Sequence, residues 1–96
     1  MVVEEMVGGR SAKRMVVLTN PAGLHARPSA AVVDMVRRFK SKVQISNGRQ
    51  VVDGGCILDL LTLGAMQGTE LVLTAKGPDA EAVLDAVVEE LAKHYE

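Results

Sequence analysis

His25 is the side chain in this sequence that is best placed to do chemistry. It follows a turn-forming stretch, NPAG at residues 20–23, and precedes a helical pattern that starts near Pro28. Proline suits the first turn of a helix, where its missing N–H group is not needed. We therefore expect His25 to lie at a helix entrance, beside backbone N–H groups that have no partner inside the helix. Whether Arg27 or an earlier residue is the N-cap stays open, because Pro28 disfavours helical geometry at Arg27.

The entrance to a helix attracts anions, because its N–H groups and the helix dipole place partial positive charge there. The same field disfavours the cationic imidazolium and leaves His25 as a neutral imidazole, which is a nucleophile. Arg27 adds a permanent charge with planar donors that suit phosphate oxygens. This segment therefore combines a nucleophile, a cation and a helix terminus, and these three favour the reversible uptake of an anion such as a phosphoryl group.

The elements that must position His25 follow from the hydrophobic pattern, which predicts the order β-α-β-β-α-β-α. The strands are predicted at residues 15–19, 42–46, 49–53 and 69–76, and the helices after Pro28, over residues 56–63 and over residues 80–95. The dipeptide Asn47-Gly48 predicts a two-residue hairpin turn. Four strands that cannot all be parallel, with three helices, predict an α+β sandwich with the helices on one face of the sheet.

The length and composition predict one domain with an aliphatic core. The chain has 96 residues, of which 48% are hydrophobic and only 2% aromatic. Residues 1–13 (MVVEEMVGGRSAK) contain a Gly-Gly pair and a polar, basic end, so they are predicted to form a flexible arm. Residues 14–96 are predicted to form the folded domain.

The charge and the cysteine count exclude several classes of protein. The formal net charge of −1 argues against binding nucleic acid through bulk electrostatics. The single cysteine, Cys56, cannot form an internal disulfide and fits a reducing compartment. There is no membrane-length apolar run and no signal-peptide pattern, so we expect a cytoplasmic protein without membrane insertion.

The motif GLHARP at residues 23–28 resembles the active-site signature of HPr, the histidine phosphocarrier of the bacterial phosphoenolpyruvate-dependent phosphotransferase system. The resemblance covers residues 14–94 and includes the Asn47-Gly48 hairpin, ILDLLTLG at residues 57–64 and QGT at residues 67–69. It implies an open-faced β-sandwich with a four-stranded antiparallel sheet and three helices, in agreement with the element order.

The resemblance also implies a role for each residue of the motif. His25 matches the histidine that phosphorylated enzyme I phosphorylates on Nδ1, and Ala26 and Arg27 match the positions that hold the phosphoryl group. The acceptor would be a IIA protein or domain of a sugar phosphotransferase system. The chain would then be a monomeric phosphoryl carrier rather than a free-standing enzyme, and it would need no metal or organic cofactor.

Cys56 marks a departure from the family pattern. It matches the position at which many members carry a serine that a regulatory kinase phosphorylates, and a thiol is not a normal substrate for that kinase. Regulation through that serine is therefore in doubt here. A helix entrance can activate a thiol, which would make Cys56 a redox switch. A small, semi-buried packing residue is the favoured interpretation, since there is no second cysteine to resolve an oxidised form.

An apolar docking patch is predicted beside His25, because members of the family meet their partners through such a surface. The alternative for the two leucines of the second helix is a place in the core. Arg37 and Arg38 could steer acidic partners, and His94 is interpreted as a surface residue rather than a second phosphorylation site. The residues predicted to form the patch are Leu24, Leu58, Leu61 and Met66.

Three other functions stay open. The same histidine chemistry would serve a regulatory, nitrogen- or metabolism-sensing phosphorelay instead of sugar transport. A β-α-β-β-α-β core also occurs in RNA-recognition modules, but those need aromatic side chains on the sheet and a basic surface. His25 and Cys56 could form a metal site or a nucleophile–base pair, although two ligands are too few for structural zinc.

Overall fold

Four strands form where apolar and polar side chains alternate. In the computed structural model, which describes residues 10–93, they are β1 (Ser11–Val17), β2 (Lys42–Ser46), β3 (Val51–Asp53) and β4 (Glu70–Lys76). In β4, Leu71, Leu73 and Ala75 are buried and their neighbours along the strand are more exposed. This period of two belongs to a sheet that packs one face on the core and leaves the other to solvent.

The strands pair in the order β1-β4-β2-β3, and every pair is antiparallel. β4 is central because it pairs along its whole length with β1 and over residues 72–76 with β2. β3 is short and pairs with β2 only over residues 44–46. The sheet therefore has two edge strands, β1 and β3, and leaves the first two residues of β2 without a strand on one side.

Three helices cover one face of this sheet: α1 (Ala26–Arg37), α2 (Ile57–Thr62) and α3 (Ala80–Leu91). α3 lies on β1 and β4, and α1 packs beside both α2 and α3. Each long helix buries an apolar stripe, such as Val32 and Val36 in α1 and Val83 and Val87 in α3. The predicted α+β sandwich with the order β-α-β-β-α-β-α is confirmed.

The start of β1 falls inside the segment that was predicted to be an arm. Lys13 pairs with Thr74, and the strand begins at Ser11, so residues 11–13 belong to the sheet. Ser11 and Lys13 are exposed on the open face of an edge strand, which explains why their polar character resembles a linker. The rest of the predicted arm, up to residue 9, lies outside the described residues.

The hairpin between β2 and β3 is wider than the sequence predicts. Ser46 pairs with Val51, which leaves a four-residue loop at residues 47–50 and shortens the predicted strand 49–53. The side-chain oxygen Oδ1 of Asn47 accepts hydrogen bonds from the backbone N–H groups of Arg49 and Gln50, both at 2.9 Å. These bonds stabilise a local Asx-type turn, so the prediction of a two-residue turn was wrong.

The core of the domain is built mainly from aliphatic side chains. The largest fully buried side chains are leucines, isoleucine and valines, together with Asn20 and Ser29.

No helix within residues 10–93 is long and apolar enough to cross a membrane. Over the same residues, no three His, Cys, Asp or Glu side chains lie close enough together to hold a metal ion.

Candidate functional site

The loop before α1 is a tight turn that is closed by a buried asparagine. The backbone N–H of Gly23 donates to the carbonyl of Asn20 at 2.8 Å, and the side-chain Nδ2 of Asn20 donates back to the carbonyl of Gly23 at 3.0 Å. Asn20 is only 1% exposed, so these bonds form away from competing water. The turn therefore holds one shape at the point where the chain enters α1.

The same turn is fixed against the segment that leads into β4. Gly23 has a φ of +73°, and a Cβ atom there would lie 2.5 Å from the carbonyl oxygen of Ala65. The next residue, Leu24, donates its N–H to that same oxygen at 2.9 Å. Only glycine permits both the left-handed backbone and this close approach. Gly23 thus sets the distance between the two loops that flank the helix entrance.

Further hydrogen bonds join these two loops on the other side of the turn. The N–H of Leu18 donates to the carbonyl of Thr69 at 2.9 Å, and the N–H of Gly68 donates to the carbonyl of Leu18 at 2.8 Å. The side-chain Nε2 of Gln67 donates to the carbonyl of Thr19 at 3.2 Å. The turn is therefore held at both of its ends, which keeps His25, two residues after Gly23, in a defined place.

His25 is the N-cap of α1. Its backbone is extended, with φ −87° and ψ −166°, and its carbonyl accepts the first hydrogen bond of the helix, from the N–H of Ser29 at 3.0 Å. The ring nitrogen Nδ1 accepts a hydrogen bond from the backbone N–H of Arg27 at 3.4 Å. The structure thus answers the question that the sequence leaves open, because the cap is His25 and Arg27 lies inside the first turn.

The hydrogen bond at Nδ1 indicates which tautomer the neutral form of the ring adopts. A nitrogen that accepts a hydrogen bond carries a lone pair, so the proton of the neutral imidazole lies on Nε2. The bond is longer than the usual 2.9–3.0 Å for N–H donors, and the ring is partly exposed. Nδ1 therefore carries the lone pair of the neutral ring, accepts one weak hydrogen bond and belongs to a partly exposed side chain.

The first turn of α1 offers a small set of donors next to that atom. The N–H groups of Ala26 and Arg27 come before the first intrahelical bond, which Ser29 donates to His25, and Pro28 has no N–H at all. The exposed side chain of Arg27 leaves the helix in the same turn. Two amides and one guanidinium group therefore surround an entrance whose dipole already favours an anion.

The predicted docking patch is only partly present at the surface. Leu24 is 4% exposed and belongs to the core, because its backbone is drawn inward by the bond to Ala65, so its assignment to the patch was wrong. Leu58, Leu61 and Met66 are exposed. Met66 follows Ala65 directly and lies against Gly23, and the two leucines lie on α2, which packs beside α1.

Cys56 is the N-cap of α2 and is partly buried, but its side chain makes no capping hydrogen bond. No hydrogen bond joins Cys56 to His25 in the described part of the chain. Arg37 donates from Nε to the carbonyl of Gly55 at 3.2 Å, and Arg38 forms an ion pair with Asp34 at 2.8 Å. Both arginines thus lie at the end of α1 away from His25, whereas His94 lies outside the described residues.

Two residues that position the site were not singled out from the sequence. Asn20 holds the turn as described, and Ser29, which is fully buried, donates from Oγ to the carbonyl of Leu24 at 3.4 Å. Asparagine at the first position of a proline-containing turn is a common signal, so Asn20 could have been found. For Ser29 the sequence offers no such signal, because its partner carbonyl depends on the shape of the loop.

At the entrance to α3, the N-cap side chain binds another segment of the fold instead of its own helix. Asp79 is the N-cap but makes no capping bond to its own helix. Its carboxylate accepts hydrogen bonds from the N–H groups of Lys40 and Ser41, at 2.9 and 2.8 Å, and from the hydroxyl of Ser41. The backbone bond from Lys40 and then the hydroxyl of Ser41 hold the pKa of Asp79 below its ordinary value of 3.8. The side chain therefore joins the start of α3 to the start of β2.

The chain is similar to proteins of one family over most of its length. The family model described as "PTS HPr component phosphorylation site" matches residues 12–93. The phosphocarrier protein HPr of Treponema pallidum is 36% identical over 74 residues, which are 77% of this chain and 84% of that protein. The multiphosphoryl transfer protein of Vibrio cholerae is 40% identical over 73% of this chain, but the match spans only 18% of that longer protein.

Solved structures have the same fold. A phosphocarrier protein HPr from Bacillus anthracis superposes with a TM-score of 0.79 at 28% identity, covering 83% of this chain and 95% of that one. HPr-C-His from Thermoanaerobacter tengcongensis gives a TM-score of 0.80 at 27% identity, covering 88% and 99%. The sequence and the fold therefore lead to the same group of proteins.

Proposed function

Since the chain belongs to the HPr family of the phosphotransferase system, we propose that it carries a phosphoryl group on Nδ1 of His25 and passes it to a second protein. The observation that carries this proposal is the hydrogen bond between Nδ1 and the Arg27 amide. It supports the tautomer whose lone pair lies on Nδ1, next to the donors that an incoming phosphate needs. No other imidazole is found in residues 10–93.

The transfer begins with attack of the Nδ1 lone pair on the phosphorus of the donor. The bond from Nδ1 to phosphorus forms while the bond from phosphorus to the donor's own group breaks, in line and through a loose transition state. The proton on Nε2 stays on the ring during this step. Nδ1 must first give up its hydrogen bond to the Arg27 amide, and that bond is long and therefore weak.

The donors of the first turn then act on the phosphoryl oxygens. The Arg27 amide, once it has left Nδ1, and the Ala26 amide can donate to these oxygens, and the Arg27 guanidinium adds a full charge. Delivery to an acceptor reverses the sequence, and Nδ1 regains its hydrogen bond. A phosphorus–nitrogen bond is readily displaced by a second nucleophile, so a phosphoryl group on Nδ1 suits a carrier that passes the group on.

The partners that we propose are phosphorylated enzyme I as donor and a IIA protein or domain of a sugar phosphotransferase system as acceptor, in the cytoplasm. Leu58, Leu61 and Met66 support a protein partner, because they are exposed apolar side chains on α2, which packs beside α1, and on the loop that lies against Gly23. Apolar side chains of this kind form the centre of protein interfaces, with polar groups around them. Arg27 supplies charge at the edge of this surface.

A direct test is incubation of the chain with phosphoenolpyruvate and enzyme I, followed by intact-mass measurement. One phosphoryl group per chain is expected, and it should be lost in acid and retained in base, as a phosphoramidate is. A chain that gains no phosphoryl group would contradict the proposal. A group that survives acid treatment would do the same, since it would be an ester of serine or threonine.

A further inference from the structure

A cavity of 570 Å³ opens at the opposite end of α1 from His25. It lies where β3 stops after Asp53, so that the first residues of β2 lack a strand neighbour on that side. Arg37 is the last residue of α1 and lines the cavity, and twelve residues separate it from His25. At 1.5 Å per residue that separation is about 18 Å. The cavity is therefore distinct from the proposed phosphorylation site.

Positive charge is concentrated in the wall of this cavity. Lys42 and Lys76 are directly opposite each other in the pairing of β2 with β4, and both side chains are exposed on the same face of the sheet. Like charges at such positions repel each other. Within residues 10–93 neither lysine forms an ion pair with a carboxylate. A bound anion between the two ammonium groups would relieve this repulsion.

The other charged groups of the wall do not cancel this charge. Arg37 adds a third cation, and its Nε is oriented by the carbonyl of Gly55. Asp53 is the one carboxylate that lines the cavity, and its Oδ1 accepts the N–H of Gly55 at 2.8 Å. It makes no ion pair with the two lysines or with Arg37 in the described part of the chain. The wall therefore stays basic in a chain whose formal net charge is −1.

The inner wall of the same cavity is apolar. It is formed by Phe39, which is partly buried, together with Val36 and Val43, which belong to the core and are 5% and 2% exposed. Phe39 is the only aromatic side chain in residues 10–93. Gln44 and Thr74, which are paired across β2 and β4, lie on the same face of the sheet as the two lysines and add hydrogen-bonding groups there. An occupant would thus meet polar and cationic groups on the open face of the sheet and apolar groups beside the start of β2.

We propose that this cavity binds a small phosphorylated molecule with a flat apolar part, of the nucleotide class. The phosphates lie between Lys42 and Lys76, and the flat part packs on Phe39. The volume is within the range of roughly 300–1,000 Å³ that is typical of ligand pockets. Lysine ammonium groups bind phosphate as point charges, and an aromatic ring offers a face on which a base can stack.

Calorimetric titration with ATP, pyrophosphate and adenosine, in the presence of a chelator and at physiological salt, tests both halves of the proposal. ATP should bind saturably with one site per chain, and pyrophosphate and adenosine should each bind more weakly. The variants Lys42→Gln and Lys76→Gln should each lower the affinity for ATP about tenfold, since each removes one charged contact. Arg49→Gln removes an exposed cation of the 47–50 loop, outside the cavity, and should leave the affinity unchanged.

The outcomes that overturn the proposal are equally specific. Absence of saturable ATP binding at millimolar concentration would refute it, and so would losses in the lysine variants no larger than in Arg49→Gln. Pyrophosphate binding as tightly as ATP would overturn the assignment of Phe39. Amide NMR during the titration should show shifts at Gln44 and Thr74, with the ring signals of His25 unmoved; the reverse pattern would place the nucleotide at the helix entrance instead.

Discussion

The entrances to α1 and α3 both carry an ionisable N-cap, but the two side chains are used in opposite ways. At α1 the ring of His25 accepts a single hydrogen bond, from its own helix, at 3.4 Å. At α3 the carboxylate of Asp79 accepts nothing from its own helix and takes three hydrogen bonds from Lys40 and Ser41. The ring of His25 is thus held weakly, whereas the carboxylate of Asp79 is held by several hydrogen bonds.

A helix entrance can bind an external anion only where the protein does not already place its own anion there. Every long helix has unpaired N–H groups and a positive end, so these features alone do not single out a site. At α3 the anion belongs to the protein, and its bonds connect two elements of the fold. At α1 the cap makes one long hydrogen bond, and in our proposal it exchanges that bond and leaves the positive field of the entrance to an external anion.

The largest effect that this comparison predicts is at His25. His25→Ala should abolish acceptance of a phosphoryl group from enzyme I, because it removes the only imidazole found in residues 10–93. The free energy of unfolding should fall by only about 1 kcal/mol, the usual effect of losing a cap. His94→Ala, the change of the second histidine, is the matched control and should accept a full phosphoryl group, as intact mass would show.

The second prediction concerns the turn that presents His25. Gly23→Ala should lower the free energy of unfolding by about 3 kcal/mol, since it adds backbone strain and places Cβ against Ala65. Gly48→Ala also has a positive φ, of +93°, but meets nothing within 4 Å, so about 1 kcal/mol is expected. If a urea titration gave equal losses of unfolding free energy for Gly23→Ala and Gly48→Ala, contact with Ala65 would not be what fixes the turn.

The third prediction separates charge at the entrance from charge elsewhere on α1. Arg27→Ala should lower kcat/KM for phosphoryl transfer about 10- to 100-fold, because a charged donor to the phosphoryl oxygens is lost. Arg38→Ala removes the same charge at the far end of the helix and should change the rate little. Similar rates for the two variants in a coupled assay with enzyme I would remove Arg27 from the mechanism.

The fourth prediction tests the entrance to α3. The lowered pKa of Asp79 means that its ionised form stabilises the folded state at every pH above its ordinary value of 3.8, and that this contribution is lost as the pH falls through the lower pKa of the folded chain. Asp79→Asn should therefore lower the melting temperature at neutral pH. In strong acid, the melting temperatures of the variant and the parent chain should become similar. Phosphoryl acceptance should be unaffected; a transfer defect in the folded variant would contradict the contrast between the two entrances.

The smallest expected effect concerns the surface around α1. Met66→Ser should raise the KM for enzyme I about fivefold, a value typical of one apolar contact in an interface. Met15→Ser is the matched control, because Met15 is 61% exposed and Met66 71% exposed, but Met15 lies on the open face of the sheet. Equal KM values for the two variants would show that the partner does not bind beside the entrance.

The sequence predicts most elements of this fold because their signals are local. The alternation over residues 42–46 predicts β2 with its observed bounds, and the stripe after Pro28 predicts α1. The strand order β1-β4-β2-β3 could not be derived in this way, since it depends on pairing between distant segments. The hairpin was predicted wrongly because the side chain of Asn47 makes two hydrogen bonds that no dipeptide rule includes.

In the candidate site, too, the features that the sequence predicts depend on neighbouring residues, and those that it misses depend on contacts between distant segments. His25, Arg27 and the helix entrance were identified from residue types and spacing, because all of them lie within one helical turn. Leu24 was misplaced at the surface because its burial depends on a hydrogen bond to Ala65, which is 41 residues away. The cavity beside Phe39 was not foreseen at all, since it requires the register of Lys42 with Lys76.

The most direct test of the central claim is ¹⁵N and ³¹P NMR of the chain after phosphorylation by enzyme I. We expect one phosphoryl group, coupled to Nδ1 of His25, together with a large chemical shift change of the Arg27 amide as its hydrogen bond moves from the ring to a phosphoryl oxygen. A phosphoryl group on Nε2, or an Arg27 amide signal that does not move, would refute the proposed transfer through Nδ1.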